Sequence, residues 1–270
     1  MRFLILGTLF VAGVAGATLQ PSSPATRPEH AHAVSAARQF PFYPYNGEFI
    51  FARIQYDAGM RSFRGWGPIG SSNGPPWSHD FPDAEQNLTQ ILRELTLARA
   101  FTESGNILTL DDPRLTYFPI AYMSEPGFWQ PNDEEVAGLR NYLLKGGLII
   151  FDDFGGGPTA QQMANLETQM RRVLPDLRFM PLDAGDALFD SFFRIDPETM
   201  NLILPYMGRP TEWWGLFVDD DKSKRLLAIA GNYGDLGEFW EYSATGMFPV
   251  DLSNDAYKVG INYIIHGMTR

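Results

Sequence analysis

The chain is predicted to be an α/β protein, a three-layer sandwich with a mainly parallel central sheet, and three observations carry that prediction. Short apolar segments suited to strands alternate along the chain with amphipathic segments of helical period. The middle strands, residues 117–123 and 148–151, are apolar nearly throughout instead of alternating, as burial on both faces requires. The helix between them carries a start and a stop signal: Asn132 followed by Glu135 at capping-box spacing, and Gly146-Gly147 at its end.

Residues 48–56 (EFIFARIQY) alternate and are rich in β-formers, which predicts a first strand with Arg53 in its middle. Residues 57–80 are a long loop of Gly, Pro, Trp and Ser, of a length that compact domains keep chiefly where it has a use. Pro82 and Asp83 start a helix through Leu97, with Leu88, Ile91, Leu92 and Leu95 on one face. A short strand follows at 107–110, then the strand at 117–123. The capped helix runs to Lys145 with Val136, Leu139, Tyr142 and Leu143 inward. The strand at 148–151 ends in Asp152-Asp153, and a helix over 159–174 follows Pro158. Strands are expected at 178–182, 215–218 and 225–230. A last helix over 254–268 presents Tyr257, Ile261, Ile264 and Ile265 on one side.

Residues 1–17 read as a signal peptide: Arg2, an apolar run, then Ala15-Gly16-Ala17 as a small-x-small cleavage pattern. The apolar run is shorter than the about 20 residues that span a bilayer, so no transmembrane segment is expected in the mature chain. The expected location is periplasmic or extracellular. Residues 18–39, rich in Ala, Pro and Ser, read as a flexible linker in which His30 and His32 are solvated. The remainder, 40–270, is expected to be one α/β domain. With no cysteine, thiolate zinc sites, iron–sulfur clusters and cysteine nucleophiles are excluded. A formal net charge of −11 with scattered basic residues argues against a nucleic-acid partner. Aromatic residues are plentiful in the expected loops, among them Trp66, Trp77, Phe81 and Trp129.

The best-placed site is Asp152-Asp153, because ligands of open α/β sheets bind beyond the carboxyl ends of the strands. Asp57, Glu125, Arg53 and the pair His79-Asp80 join the candidate set, the last as a base or an oxygen/nitrogen donor pair. The competing reading makes Asp80 a helix cap, His79 a surface residue and the aspartates turn acceptors. Arg53 and Lys258 are expected to pair with Asp57, Asp112, Asp152 or Asp153. His266 is expected to pack or to face water. Gly155, Gly157 and Ala160 satisfy a dinucleotide pattern, but the two preceding carboxylates would repel a pyrophosphate. Ser72 within Gly70–Gly74 matches a nucleophile motif without the strand and helix it needs. No metal-ligand set is evident in the sequence and no cofactor is assigned.

Several groups of residues occur in one order: Arg53 and Tyr56; His79-Asp80-Phe81-Pro82 with Ala84-Glu85 and Asn87-Leu88; Asp112-Pro113-Arg114-Leu115 with Tyr117; Ser124-Glu125-Pro126-Gly127. Leu139-Arg140, Tyr142-Leu143, Gly146-Gly147 and Asp152-Asp153-Phe154 continue it, and Trp240-Glu241, Ala256-Tyr257-Lys258, Gly260 and Asn262-Tyr263 complete it. Together they resemble a bacterial family catalogued as domain of unknown function 4159, from about residue 49 to the C-terminus. The resemblance implies a class I glutamine amidotransferase-like, flavodoxin-like fold and no established activity. Amidotransferase chemistry is excluded, since the strand at 148–151 leads to Asp152-Asp153 where that chemistry needs a cysteine. Relatives often carry His-Pro before a Phe-rich stretch where this chain has Asp186-Ala187 before Leu188-Phe189.

Two functions follow from these residues. The favoured one is a non-catalytic module binding an unknown protein or small molecule. Its crevice would lie around Asp57, Glu125, Asp152 and Asp153, flanked by the aromatics between Trp66 and Phe81. The alternative is a hydrolase, metal-assisted or not, using Asp152, Asp153 and His79-Asp80, which requires those groups within about 8 Å of one another. A plain scaffold, with every acid capping or ion-paired, is the third reading.

Overall fold

The computed structural model describes residues 40–58, 68–71, 74–155, 161–200 and 202–270. The expected signal peptide and linker, Trp66, Ser72, and the glycine-loop positions Gly157 and Ala160 lie outside the described residues.

Seven strands form one sheet: β1 (Ala52–Ile54), β2 (Asn106–Leu108), β3 (Ile120–Ser124), β4 (Leu148–Phe154), β5 (Met180–Pro181), β6 (Glu212–Phe217) and β7 (Leu226–Asn232). Their order is β2-β1-β3-β4-β7-β6-β5. The β2, β1, β3, β4 and β7 neighbours pair in parallel, while β6 runs antiparallel to both β7 and β5. The sheet is thus mainly parallel with an antiparallel edge. Its order reverses between β1 and β3, which opens a switch point at the carboxyl ends of those two strands.

The helices are α1 (Asp83–Leu95), α2 (Asp133–Leu144), α3 (Gln162–Val173), α4 (Leu236–Glu241) and α5 (Val250–Thr269). Period-two alternation divides the strand side chains between two cores. Phe51, Ile120, Tyr122, Leu148 and Ile150 pack with Leu88 and Leu92 of α1, Trp240 of α4 and Ile261 and Ile264 of α5. Ala52, Ile54, Ala121, Met123, Ile149 and Phe151 pack with Leu139 and Leu143 of α2 and Leu166 and Met170 of α3. This is the α/β sandwich the apolar middle strands demand.

The expected α2 signals operate as read. Asn132 Oδ1 accepts from Glu135 N while Glu135 Oε2 accepts from Asn132 N, completing the capping box. At the other end Gly147 N donates to Tyr142 O and Gly146 N to Leu143 O, with Gly146 at φ +115°. That pairing closes the helix in a Schellman motif that needs a left-handed residue at 146.

Several expectations need correction. The first strand has only three ladder residues, because the segment before it adds just the bridge of Phe49 to Ala100. The short α4 is absent from the expected elements. Trp77 and Trp129 are buried, not displayed for recognition: Trp77 packs edge-on against Phe40, and Trp129 lies against Phe151. Phe81 is half-buried beneath the Arg53 guanidinium. His266, by contrast, packs as one branch of its expectation had it: it is buried, with Nδ1 3.1 Å from Ser191 Oγ. No helix among the described residues is long and apolar enough to cross a membrane.

Candidate functional site

Arg53 organises the switch point from below. It projects from β1 toward α1, and its Nε bonds Glu85 Oε1 in a pair that is 1 % and 2 % exposed. Its Nη1 donates to the carbonyls of Trp77 (3.0 Å) and His79 (2.8 Å), and its guanidinium lies 5.0 Å from the Tyr122 ring centre. The loop after β1 is therefore tied by backbone carbonyls to a buried cation, which sets where His79 and Asp80 stand. The expected partners of Arg53 were aspartates; the partner is Glu85, one turn into α1. Lys258 pairs with Asp255 and Asp112 with Arg114, so neither belongs to the site.

Strand alternation predicts opposite faces for Asp152 and Asp153, yet both carboxylates reach one cluster. The register of β4 against β7 shifts between Phe151 and Phe154, and Asp153 takes φ +58°. This bulge turns the second side chain back. Asp80 (φ +62°) and Glu125 (φ +48°) occupy the same left-handed region. Three non-glycine residues in that conformation around one point are a local strain that the surrounding packing must hold.

The bonds sort the acids into roles. Asp152 Oδ2 accepts from Tyr122 Oη (2.9 Å), Leu236 N (2.8 Å) and Gly237 N (3.1 Å). It anchors the start of α4, where a carboxylate also meets the favourable end of the helix dipole. Asp153 Oδ2 accepts from Ser124 Oγ (3.1 Å) and lies 3.0 Å from His79 Nδ1. The same Nδ1 is 3.5 Å from Glu125 Oε1. Tyr56 Oη donates to the carbonyls of Ser124 (3.0 Å) and Glu125 (2.6 Å), fixing the end of β3. Asp235 Oδ1 accepts from Glu238 N to cap α4, and its Oδ2 accepts from Tyr206 Oη at 2.7 Å.

Asp80, Glu125, Asp152, Asp153 and Asp235 are all buried, at 1–6 % exposure. Burial first, then mutual repulsion, pushes the Asp80, Asp153 and Asp235 carboxyls well above the usual range. Asp152 is raised too, by burial, but its bonds to Tyr122 and the α4 backbone oppose the shift. Among the described residues, the Arg53 guanidinium favours the charged form of Asp80, and it is already bound to Glu85.

Two sets of groups approach as metal ligands do. One ligand atom each from His79, Glu125 and Asp153 lies within 4.8 Å of the others, and so does one each from Asp80, Asp235 and Glu238. Donors about 2.0–2.6 Å from a common ion span such separations. The sequence offered no evident ligand set because these residues come from the β1–α1 loop, the β3 and β4 ends and α4.

Of the sequence candidates, the fold gathers Arg53, His79, Asp80, Glu125, Asp152 and Asp153. Asp57 is exposed, and its charge is felt by Glu135 on α2. Asp80 does not cap α1, whose start has no side-chain cap bond; its backbone carbonyl accepts from Ala84 N instead. Among the described residues, the His79–Asp80 loop and α4 cover the Asp152-Asp153 turn where a crevice was expected. Its more accessible members are His79 and Glu238. Sequence reasoning placed Glu85 near His79-Asp80 without pairing it with Arg53, and it missed Tyr122, Tyr206, Asp235 and Glu238. Asp235 was detectable: an Asp three residues before Glu238, ahead of Phe239-Trp240, has helix-start spacing.

A family model described as a domain of unknown function (DUF4159) matches residues 51–268. No curated protein matches the chain.

Proposed function

The chain belongs to the DUF4159 family, whose description names no activity, and from the site itself we propose that it is an exported module binding a divalent cation through His79, Glu125 and Asp153. The observation that carries this reading is one imidazole and two buried carboxylates meeting within 4.8 Å. A buried carboxylate must be protonated, paired or coordinated. A cation suits a turn that, among the described residues, the His79–Asp80 loop and α4 cover. One nitrogen and two oxygens fit Zn2+ or Mn2+.

The β2-β1-β3-β4-β7 order supports the flavodoxin-like, amidotransferase-like part of the proposal. It corresponds to the doubly wound order 2-1-3-4-5, in which ligands sit where the order reverses. Here that point is flanked by Tyr56, His79, Ser124 and Glu125.

Titration of chelator-treated protein with Mn2+ tests the site. The native chain is expected to bind one Mn2+ there, and Asp153→Asn to weaken that binding at least about 100-fold, since even residues behind a metal ligand cost 10–100-fold. Equal Mn2+ affinity in both proteins, or none in either, overturns the reading.

A second reading, a metal-assisted hydrolase, is favoured by the ligand number. Three protein ligands leave a coordination position open, as in catalytic sites, and His79 is a more accessible member of the set. Export rests on Arg2, the apolar run and Ala15-Gly16-Ala17. Protein recovered outside the cytoplasm should have an intact mass starting at Thr18; a chain retaining Met1 there would sink this part.

A further inference from the structure

The geometry points to a second cation site beside the first, formed by Asp80, Asp235 and Glu238 and taking a hard divalent ion, Ca2+ or Mg2+. One oxygen from each residue lies within 4.8 Å of the others, and no nitrogen or sulfur donor is among them. Oxygen-only sets select hard cations, which the imidazole-containing set does not. Three acids close together are not by themselves a site. The independent observation is Asp80 Oδ2, which is buried and has no hydrogen-bond partner although Asp80 is only 5 % exposed. The Glu241 carboxyl neighbours that of Asp80 without giving Oδ2 a hydrogen-bond donor.

That oxygen is aimed at the first turn of α4. It lies against Gly237, where a Cβ would collide with it, between the two other acids in sequence. The glycine thus leaves Asp80 room between Asp235 and Glu238. Asp235 is already oriented, since Tyr206 and the Glu238 amide hold its two oxygens. Glu238 is only half-buried and gives a hydrated ion its way in. An ion here would join the residue leading into α1 to α4, across two helices that pack on each other. It would supply the positive charge that Arg53, bound to Glu85, cannot give.

The site does not depend on the His79 set being filled, so the two are tested in one experiment with separate readouts. Chelator-treated protein is titrated with Ca2+, then with Mg2+, and in parallel with Mn2+, using the native chain, Glu238→Gln and Asp153→Asn. Glu238 is partly exposed and its capping contribution is through backbone, so Glu238→Gln should fold. The expected result is Ca2+ or Mg2+ binding by the native chain that weakens at least tenfold in Glu238→Gln, a loss of the order known for disturbed metal sites. Mn2+ binding at the His79 set should survive in that variant and weaken at least about 100-fold in Asp153→Asn. No binding of either hard ion at about 10 mM, well above the range of weak extracellular calcium sites, overturns the second site. Undiminished binding in Glu238→Gln also overturns it, because the ion would then be elsewhere or the acids would simply share protons. Loss of Mn2+ binding in the native chain would instead remove the first site and leave this one standing.

Discussion

Arg53→Met is expected to destabilise the fold by about 3–5 kcal/mol, the cost of leaving one partner of a buried ion pair uncompensated. Arg53 and Glu85 are 1 % and 2 % exposed, so neither charge has recourse to water. The substitution strands the Glu85 carboxylate and also removes two donors, leaving the Trp77 and His79 carbonyls without their bonds to Nη1. Urea melts of the native and variant proteins measure the loss; a change below about 1 kcal/mol would rank the pair with ordinary surface bridges and refute its role. The double variant Arg53→Met/Glu85→Leu separates charge from architecture. It should recover much of the stability, because apolar residues of similar volume commonly replace buried pairs without penalty. It should not recover Mn2+ affinity, since the carbonyl of His79 would still be untethered. A double variant that binds Mn2+ like the native chain would show that Arg53 does not position His79.

The sheet is more legible in the sequence than the site, for physical reasons visible in particular residues. Leu148-Ile149-Ile150-Phe151 must be a strand buried on both faces because no single stripe of it is polar. Asn132, Glu135 and Gly146 act through contacts within one helix, so spacing alone exposes them. The site depends on contacts far apart in the chain. Glu85 finds Arg53 across 32 positions and Asp152 meets Leu236 across 84. No periodicity encodes those separations. Asp153 escapes strand alternation through a left-handed backbone that its residue type merely tolerates. α4 is only six residues long, too short for an apolar period to register, yet it brings Asp235 and Glu238. Asp57 also follows a predicted strand, but the chain's path after β1 leaves it exposed.

Freed of divalent ions, the protein is expected to lose stability as pH rises from about 4, and to regain it on ion binding most strongly at the alkaline end. The sign follows from Asp80, Asp153 and Asp235, whose carboxyls are raised by burial and by one another. In the unfolded chain an aspartate releases its proton near pH 4. The folded cluster keeps its protons until the raised values are reached, so the native state binds more protons across that window and stability falls with pH. Each pH unit costs about 1.4 kcal/mol per group so affected. Divalent ions compete with these protons for the same oxygens, so the increment they add should grow with pH. At 100 times the dissociation constant that increment reaches about 2.7 kcal/mol per site. One opposing group must be subtracted: burial, then Arg270, lowers His266 from 6.5 to about 4, which costs stability as pH falls through that interval. Comparing the native chain with Asp153→Asn at each pH cancels the His266 contribution, because both proteins share it. Thermal melts from pH 5 to 8, with chelator or with Mn2+, should show the ion's increment rising with pH in the native chain and nearly flat in the variant. An increment that is equal at both ends of the range would mean that protons and ions do not share these carboxylates, and the cation reading of the cluster would fall with it.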